Sequence, residues 1–139
     1  MDLRLSIPEL QAFVDEVFPQ QRGRFEVIEL RPYFARVRMV AREADLRPGG
    51  TVSGPAMFAL ADCAYYMATL AMIGREALTV TTSCAIDFMR KPRPGALVAD
   101  ARILKLGRIL SVGDVLIRSE GVEEPVARAG LTYSIPPAR

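Results

Sequence analysis

The sequence contains no histidine and no tryptophan, and only two cysteines, Cys63 and Cys84. The missing histidine excludes Ser-His-Asp and Cys-His nucleophile systems, histidine general-base catalysis and every histidine-containing zinc site. Two cysteines cannot build a zinc cage or a secreted disulfide framework, so no metal is expected. Aromatic residues make up 7% of the chain, too few for a stacking platform on single-stranded nucleic acid. Charge of one sign is also lacking. Lys plus Arg number 18 against 16 Asp plus Glu, and a net charge of +2 provides no field favouring DNA or a membrane surface. The start Met1-Asp2-Leu3-Arg4 leads into no apolar signal segment, so the sequence predicts a cytoplasmic location. Any enzyme built from this composition must do its proton chemistry with carboxylates, Lys, Tyr or Cys.

What remains is the composition of an ordinary globular protein. The chain has 139 residues, 50% of them hydrophobic and 24% charged, which predicts one domain over 1–139 with a core large enough to need no cross-links. A helix begins at Ser6, which has capping-box spacing to Glu9, and carries Ile7, Leu10, Val14, Val17 and Phe18 on one stripe. Alternation predicts strands over 25–30 and 33–40, separated at Arg31-Pro32. A Gly- and Pro-rich turn over 47–55 opens a second helix, 56–73, apolar on every face except at Asp62 and Thr69 and stopped by Gly74. Strand patterns follow over 77–88, 97–104, 109–118 and 126–135.

The length of the second helix reaches the lower limit of a membrane span, but Asp62 near its centre would cost roughly 2.5–3.5 kcal/mol in a bilayer. The helix is therefore read as buried inside a domain, with no membrane span. Hairpin-linked strands and one fully apolar helix imply an α+β fold, a curved antiparallel sheet wrapped around one long central helix with a short N-terminal helix beside it.

Asp62 is the residue that demands explanation, because a carboxylate in an apolar helix needs a partner or a task. The helix starts at a glycine-rich turn, whose free N–H groups and positive dipole end suit an anion or oxyanion. A carboxylate plus amide donors is a minimal set for attack on a carbonyl without histidine. Gly54 and Asp62 are eight residues apart, about 12 Å along one helix, too far to share one carbonyl. Acting on one substrate, they must come from two copies of the chain across a two-fold interface.

Gly50-Thr51-Val52-Ser53-Gly54, Leu60-Ala61-Asp62, the run from Ile86 to Pro92, Gly107-Arg108 and Leu131-Thr132-Tyr133 together resemble the hotdog-fold acyl-CoA thioesterases, most closely the PaaI-like subgroup. The resemblance spans residues 24 to 135. It implies a homodimer assembling to a homotetramer, and hydrolysis of an acyl- or aroyl-CoA in which CoA is part of the substrate and no cofactor is used. Carried onto matching positions, the Gly54 N–H polarises the thioester carbonyl and Asp62, from the other chain, is nucleophile or general base. Thr81 falls where some relatives carry a hydroxyl that positions water, and it reads equally as a half-exposed strand threonine.

The chain departs from the family at the helix start. Ser53 stands in place of the usual His, and Arg47 in place of the Asn six residues earlier. Ser53 can still cap the helix. Arg47 is open to pairing with a carboxylate, binding substrate, or plain solvation. Arg90, Lys91 and Arg93 form a basic loop that reads as solvated surface or, in a CoA enzyme, as a phosphate contact. Cys63 and Cys84 read as inert thiols, and Tyr65 and Tyr66 as core or acyl-pocket lining. The alternative function is a non-catalytic acyl-CoA or fatty-acyl binding protein of the same fold.

Overall fold

The computed structural model describes residues 1–137. Helix α1 spans Ile7–Val17 and opens on the expected capping box, with Ser6 Oγ accepting the Glu9 N–H and Glu9 Oε1 accepting the Ser6 N–H. Its Leu10 and Val14 are buried against the rest of the molecule. Strands β1 (Phe25–Arg31) and β2 (Phe34–Val40) form a hairpin. Helix α2 runs Gly54–Ile73, beginning two residues before the apolar run because Ser53 caps it and Pro55 fits its first turn. Gly74 ends it at φ 94°, a conformation that glycine adopts without a Cβ clash. Four strands complete the chain: β3 (Val80–Phe88), β4 (Ala96–Leu106), β5 (Leu110–Ser119) and β6 (Pro125–Ser134).

All six strands join one antiparallel sheet in the order β1-β2-β4-β5-β6-β3. The chain leaves β2, passes through α2 and returns at the far edge of the sheet, so β3 is an edge strand and not a central one. Residues 77–79, expected as strand, are a turn leading into it. Helix α2 touches every strand, the helix-in-a-curled-sheet arrangement implied by the resemblance.

The inner face of the sheet is rich in alanine. Ala35, Ala99, Ala101, Ala127 and Ala129 are buried there, and their small side chains let the helix approach closely. The closest approach is at Gly113, where a Cβ would lie 2.2 Å from the Arg102 carbonyl oxygen and 2.5 Å from the Tyr65 ring. Tyr65 thereby reaches Ser111, Oη to Oγ 2.8 Å, and Thr69 Oγ1 shares the same serine at 3.1 Å. These contacts satisfy the polar atoms that α2 buries. Helix α2 is the one described element long and apolar enough to cross a membrane, with a mean hydropathy of 1.5, yet 78% of that stretch is buried in the fold.

Burial of α2 is incomplete on one stripe. Pro55, Phe58, Ala59 and Asp62 fall at i, i+3, i+4 and i+7, and all are at least partly exposed, Phe58 by 39%. Strand β3 lies on this thinly covered side. Its inward residues Cys84 and Ile86 are only half-buried, and Val80 and Phe88 are exposed by 54% and 51%.

Candidate active site

The start of α2 is built by a buried charge. Asp45, in the turn before the helix, pairs with Arg24 at 2.7 Å and accepts the Arg42 N–H through Oδ2 at 2.9 Å. Its backbone carbonyl accepts the Ser53 N–H at 2.7 Å, which ties the turn to the helix entry. Ser53 Oγ accepts the Ala56 N–H at 3.3 Å, so its hydroxyl serves as the helix cap. The Gly54 N–H has no hydrogen-bond partner among the described residues. The Phe88 ring lies against Gly54, where an added Cβ would be 3.2 Å from Phe88 Cζ.

Gly54 lines a cavity of about 710 Å³ together with Arg47, Arg90, Lys91, Phe88 and Met89. Of the expected basic loop, Arg90 and Lys91 reach this cavity; Arg93 is exposed and does not line it, and its backbone N–H is bound to Ser119 Oγ. Arg90 also donates to the Pro125 carbonyl at 2.6 Å.

Asp62 lines a different cavity, of about 470 Å³. It is half-buried, not enclosed, and its carboxylate faces side chains that include Val17 and Phe18 from the end of α1, Tyr66 from α2, and Leu78 and Val80 around the start of β3. Two hydroxyls meet Asp62 Oδ1: Thr81 Oγ1 donates at 2.7 Å and Tyr133 Oη at 2.6 Å. Tyr133 Oη is also 2.8 Å from the Asp62 carbonyl oxygen. No cation pairs with Asp62 among the described residues, and Oδ2 accepts no hydrogen bond from them.

Strict alternation sets Thr81 on the face opposite Cys84. A β-bulge between Thr81 and Ser83 changes the phase, so Thr81 turns inward with Cys84 and Ile86. That inward turn is what brings its hydroxyl to Asp62. Tyr133 lies 71 residues from Asp62 in the chain, so no local sequence signal marks their contact.

The surroundings tune the neighbours of Asp62. Burial, then the Asp62 charge, pushes the Cys63 thiol up to about 12, and burial raises Cys84 as well, so both thiols stay protonated and unreactive. Burial and the adjacent carboxylate push the Tyr133 phenol far above its ordinary range, which keeps it a donor. Tyr65 is wholly buried and serves the core, whereas Tyr66 lines the Asp62 cavity and donates to the Ala77 carbonyl at 3.0 Å. The described residues hold no group of three or more His, Cys, Asp or Glu side chains arranged for a metal ion.

Residues 49–126, more than half of the chain, match the family model of the thioesterase superfamily. Among solved structures, a protein from Silicibacter sp. TM1040 assigned as a thioesterase is 54% identical, with 99% of this chain and 96% of that chain covered and a TM-score of 0.92. A mutant of the phenylacetic acid degradation protein PaaI from Thermus thermophilus is 29% identical over 85% of this chain and 99% of its own, with a TM-score of 0.73. Zebra fish thioesterase superfamily member 2 shares the fold, with a TM-score of 0.82 at 20% identity, covering 95% of this chain and 99% of that one. No curated protein matches the sequence.

Proposed function

Because the chain belongs to the thioesterase superfamily, and is a thioester hydrolase, we propose that it hydrolyses an acyl- or aroyl-CoA at a site shared between two subunits. Asp62 of one chain and the Gly54 N–H of the other are its working groups. The observation that carries this reading is that Asp62 and Gly54 line two separate cavities of one chain, at opposite ends of the same uncovered stripe of α2.

Strand β3 supplies the geometry for joining them. It is an edge strand, and Asp87 is its one ionisable residue apart from Cys84, so little charge protects that edge from pairing. Two copies paired antiparallel through β3 about a two-fold axis set the Val80 end of one strand beside the Phe88 end of the other. The Asp62 cavity lies at the Val80 end and Gly54 lies against Phe88. The same pairing covers Phe58, Val80 and Phe88, exposed apolar side chains in each copy. Two such sites form per dimer, and pairs of dimers make the expected tetramer.

The chemistry needs no imidazole. The partner subunit's Gly54 N–H, aided by the α2 dipole, polarises the thioester carbonyl and holds the oxyanion. Asp62 either removes a proton from water, which then attacks the carbonyl carbon, or attacks directly to give an anhydride that water cleaves. Both routes expel CoA thiolate, which is protonated on leaving, and release the free acid. Thr81 orients the carboxylate. The largely apolar cavity beside Asp62 takes the acyl group, and Arg47, Arg90 and Lys91 face the phosphates of CoA. No cofactor takes part, and neither nucleic acid nor a membrane is needed as partner.

Complementation tests the shared site. Asp62→Asn should lower turnover by several orders of magnitude, and Gly54→Pro, which deletes the oxyanion N–H, by about 10²–10³. Mixing the two inactive chains and allowing subunit exchange should restore about one quarter of the wild-type sites, read as thiol release. Two inactive chains that stay inactive after demonstrated exchange would overturn the shared site. Saturable acyl-CoA binding by wild type without thiol release would instead favour the binding protein.

A further inference from the structure

We propose that Tyr133 is a positioning residue that, with Thr81, fixes which oxygen of Asp62 reacts. The inference rests on the reading of Asp62 as the acting carboxylate, but its geometry stands independently.

Thr81 and Tyr133 are register partners across β3 and β6, and both hydroxyls converge on Oδ1 of Asp62, at 2.7 and 2.6 Å. The Tyr133 ring has no freedom to leave. It is 3% exposed and packs against the rings of both Tyr65 and Tyr66, with centroids 5.6 and 6.1 Å away. Its hydroxyl also reaches the backbone carbonyl of Asp62 at 2.8 Å, so one phenol contacts main chain and side chain of the same residue. A carboxylate held in this way cannot rotate about its terminal bonds without losing two charge-assisted hydrogen bonds. Oδ1 is the anchor, and Oδ2, with no donor among the described residues, is the oxygen left for water or the thioester carbon.

The identity of the donors matters. The ionisable groups around Asp62 are Cys63 and Tyr66 on α2, Cys84 on β3 and Tyr133 on β6, all neutral where their protons are retained. An arginine at this point would orient the carboxylate but also neutralise its charge and weaken it as base or nucleophile. Two neutral hydroxyls orient it and leave the charge in place.

Tyr133→Phe removes only the hydroxyl and leaves the ring packed. The expected result is a kcat lower by about ten- to hundredfold with KM within about twofold, since a hydrogen bond to a charged group is lost while substrate contacts remain. In an Asp62→Asn background the same change should cost nothing further, because its effect runs through the carboxylate. Unchanged kcat in Tyr133→Phe, or full additivity with Asp62→Asn, would overturn the role, since a hydroxyl needed only for packing lowers stability in both backgrounds alike.

A second readout needs neither turnover nor a substitution at Tyr133. Wild type should show a downfield hydroxyl proton resonance for Tyr133 in proton NMR that moves when Asp62→Asn replaces the carboxylate. Its absence in wild type would overturn the clamp. Absence of thiol release from every acyl-CoA tested would instead overturn the proposed function and leave this resonance to decide the clamp.

Discussion

Thr81 and Tyr133 face each other across β3 and β6, and their hydroxyls meet on one oxygen of Asp62. Alternation along β6 turns Tyr133 inward with Ala129 and Leu131, but alternation along β3 would turn Thr81 outward. The bulge after Thr81 turns it inward, while Tyr133 is held by aromatic neighbours from α2. Three elements distant in sequence thus build one oriented carboxylate, and α2, buried against the sheet, supplies the rigid base that such a site needs.

The end of α1 is expected to limit acyl size. Phe18 and Val17 line the Asp62 cavity, so Phe18→Ala enlarges it away from the reacting atoms. The ratio of kcat/KM for a longer over a shorter straight-chain acyl-CoA should rise by about tenfold, the usual scale for a methylene-sized change in an apolar pocket. A series of acyl-CoA substrates measures it. Identical ratios in variant and wild type would place the acyl group elsewhere.

Gly113→Ala should destabilise the fold. The new Cβ meets the Arg102 carbonyl at 2.2 Å and Tyr65 at 2.5 Å, and neither backbone nor a ring hydrogen-bonded to Ser111 can yield cheaply. Overpacking of this kind costs about 1–3 kcal/mol, several degrees in Tm. An unchanged urea midpoint would show that β5 and α2 separate more easily than their packing implies.

Asp100 links folding stability to acidity. It takes Arg36 at 2.7 Å and Arg118 at 2.7 Å on the outer face of the sheet. Burial opposes its ionisation, but hydrogen bonds from Arg36 and Arg118 together outweigh this and hold its carboxyl below the usual 3.8. A group depressed on folding stabilises the protein above its unfolded value, and that contribution is lost as the pH falls through the folded value. Asp100→Asn should therefore cost about 1 kcal/mol near neutrality, with the gap to wild type closing below the usual carboxylate value. Denaturation curves from pH 7 to pH 3 measure the gap. A constant gap would mean that packing, and not charge, is what Asp100 supplies.

Much of the architecture was legible because its signals are local. Ser6 and Glu9 mark the start of α1, Ser53 and Gly74 bracket α2, and alternation located all six strands to within a few residues. Asp62 stood out for a simple reason: one carboxylate in an otherwise apolar helix needs a purpose. The site was less legible. The sequence marks Thr81 as a candidate but not its inward turn, since a bulge is a mismatch between two strands and the sequence of one strand does not contain it. Tyr133 is not legible as a site residue, because an inward tyrosine on a strand reads as core until its partner is known. Arg93, grouped with Arg90 and Lys91 by adjacency, does not line the cavity that they share.

The sequence by itself determined the chemistry available to this protein and the elements that carry it. Without histidine the proton chemistry falls to other groups, and periodicity over a few turns or a few alternations is enough to form a helix or a strand. Only the tertiary structure decided that β3 pairs with β6 at the sheet edge, that Thr81 and Tyr133 grip Asp62, and that Asp62 and Gly54 open onto different cavities. Those facts depend on which strands exchange hydrogen bonds and in what register. Register is a relation between distant segments, fixed by the packing of the whole sheet around α2.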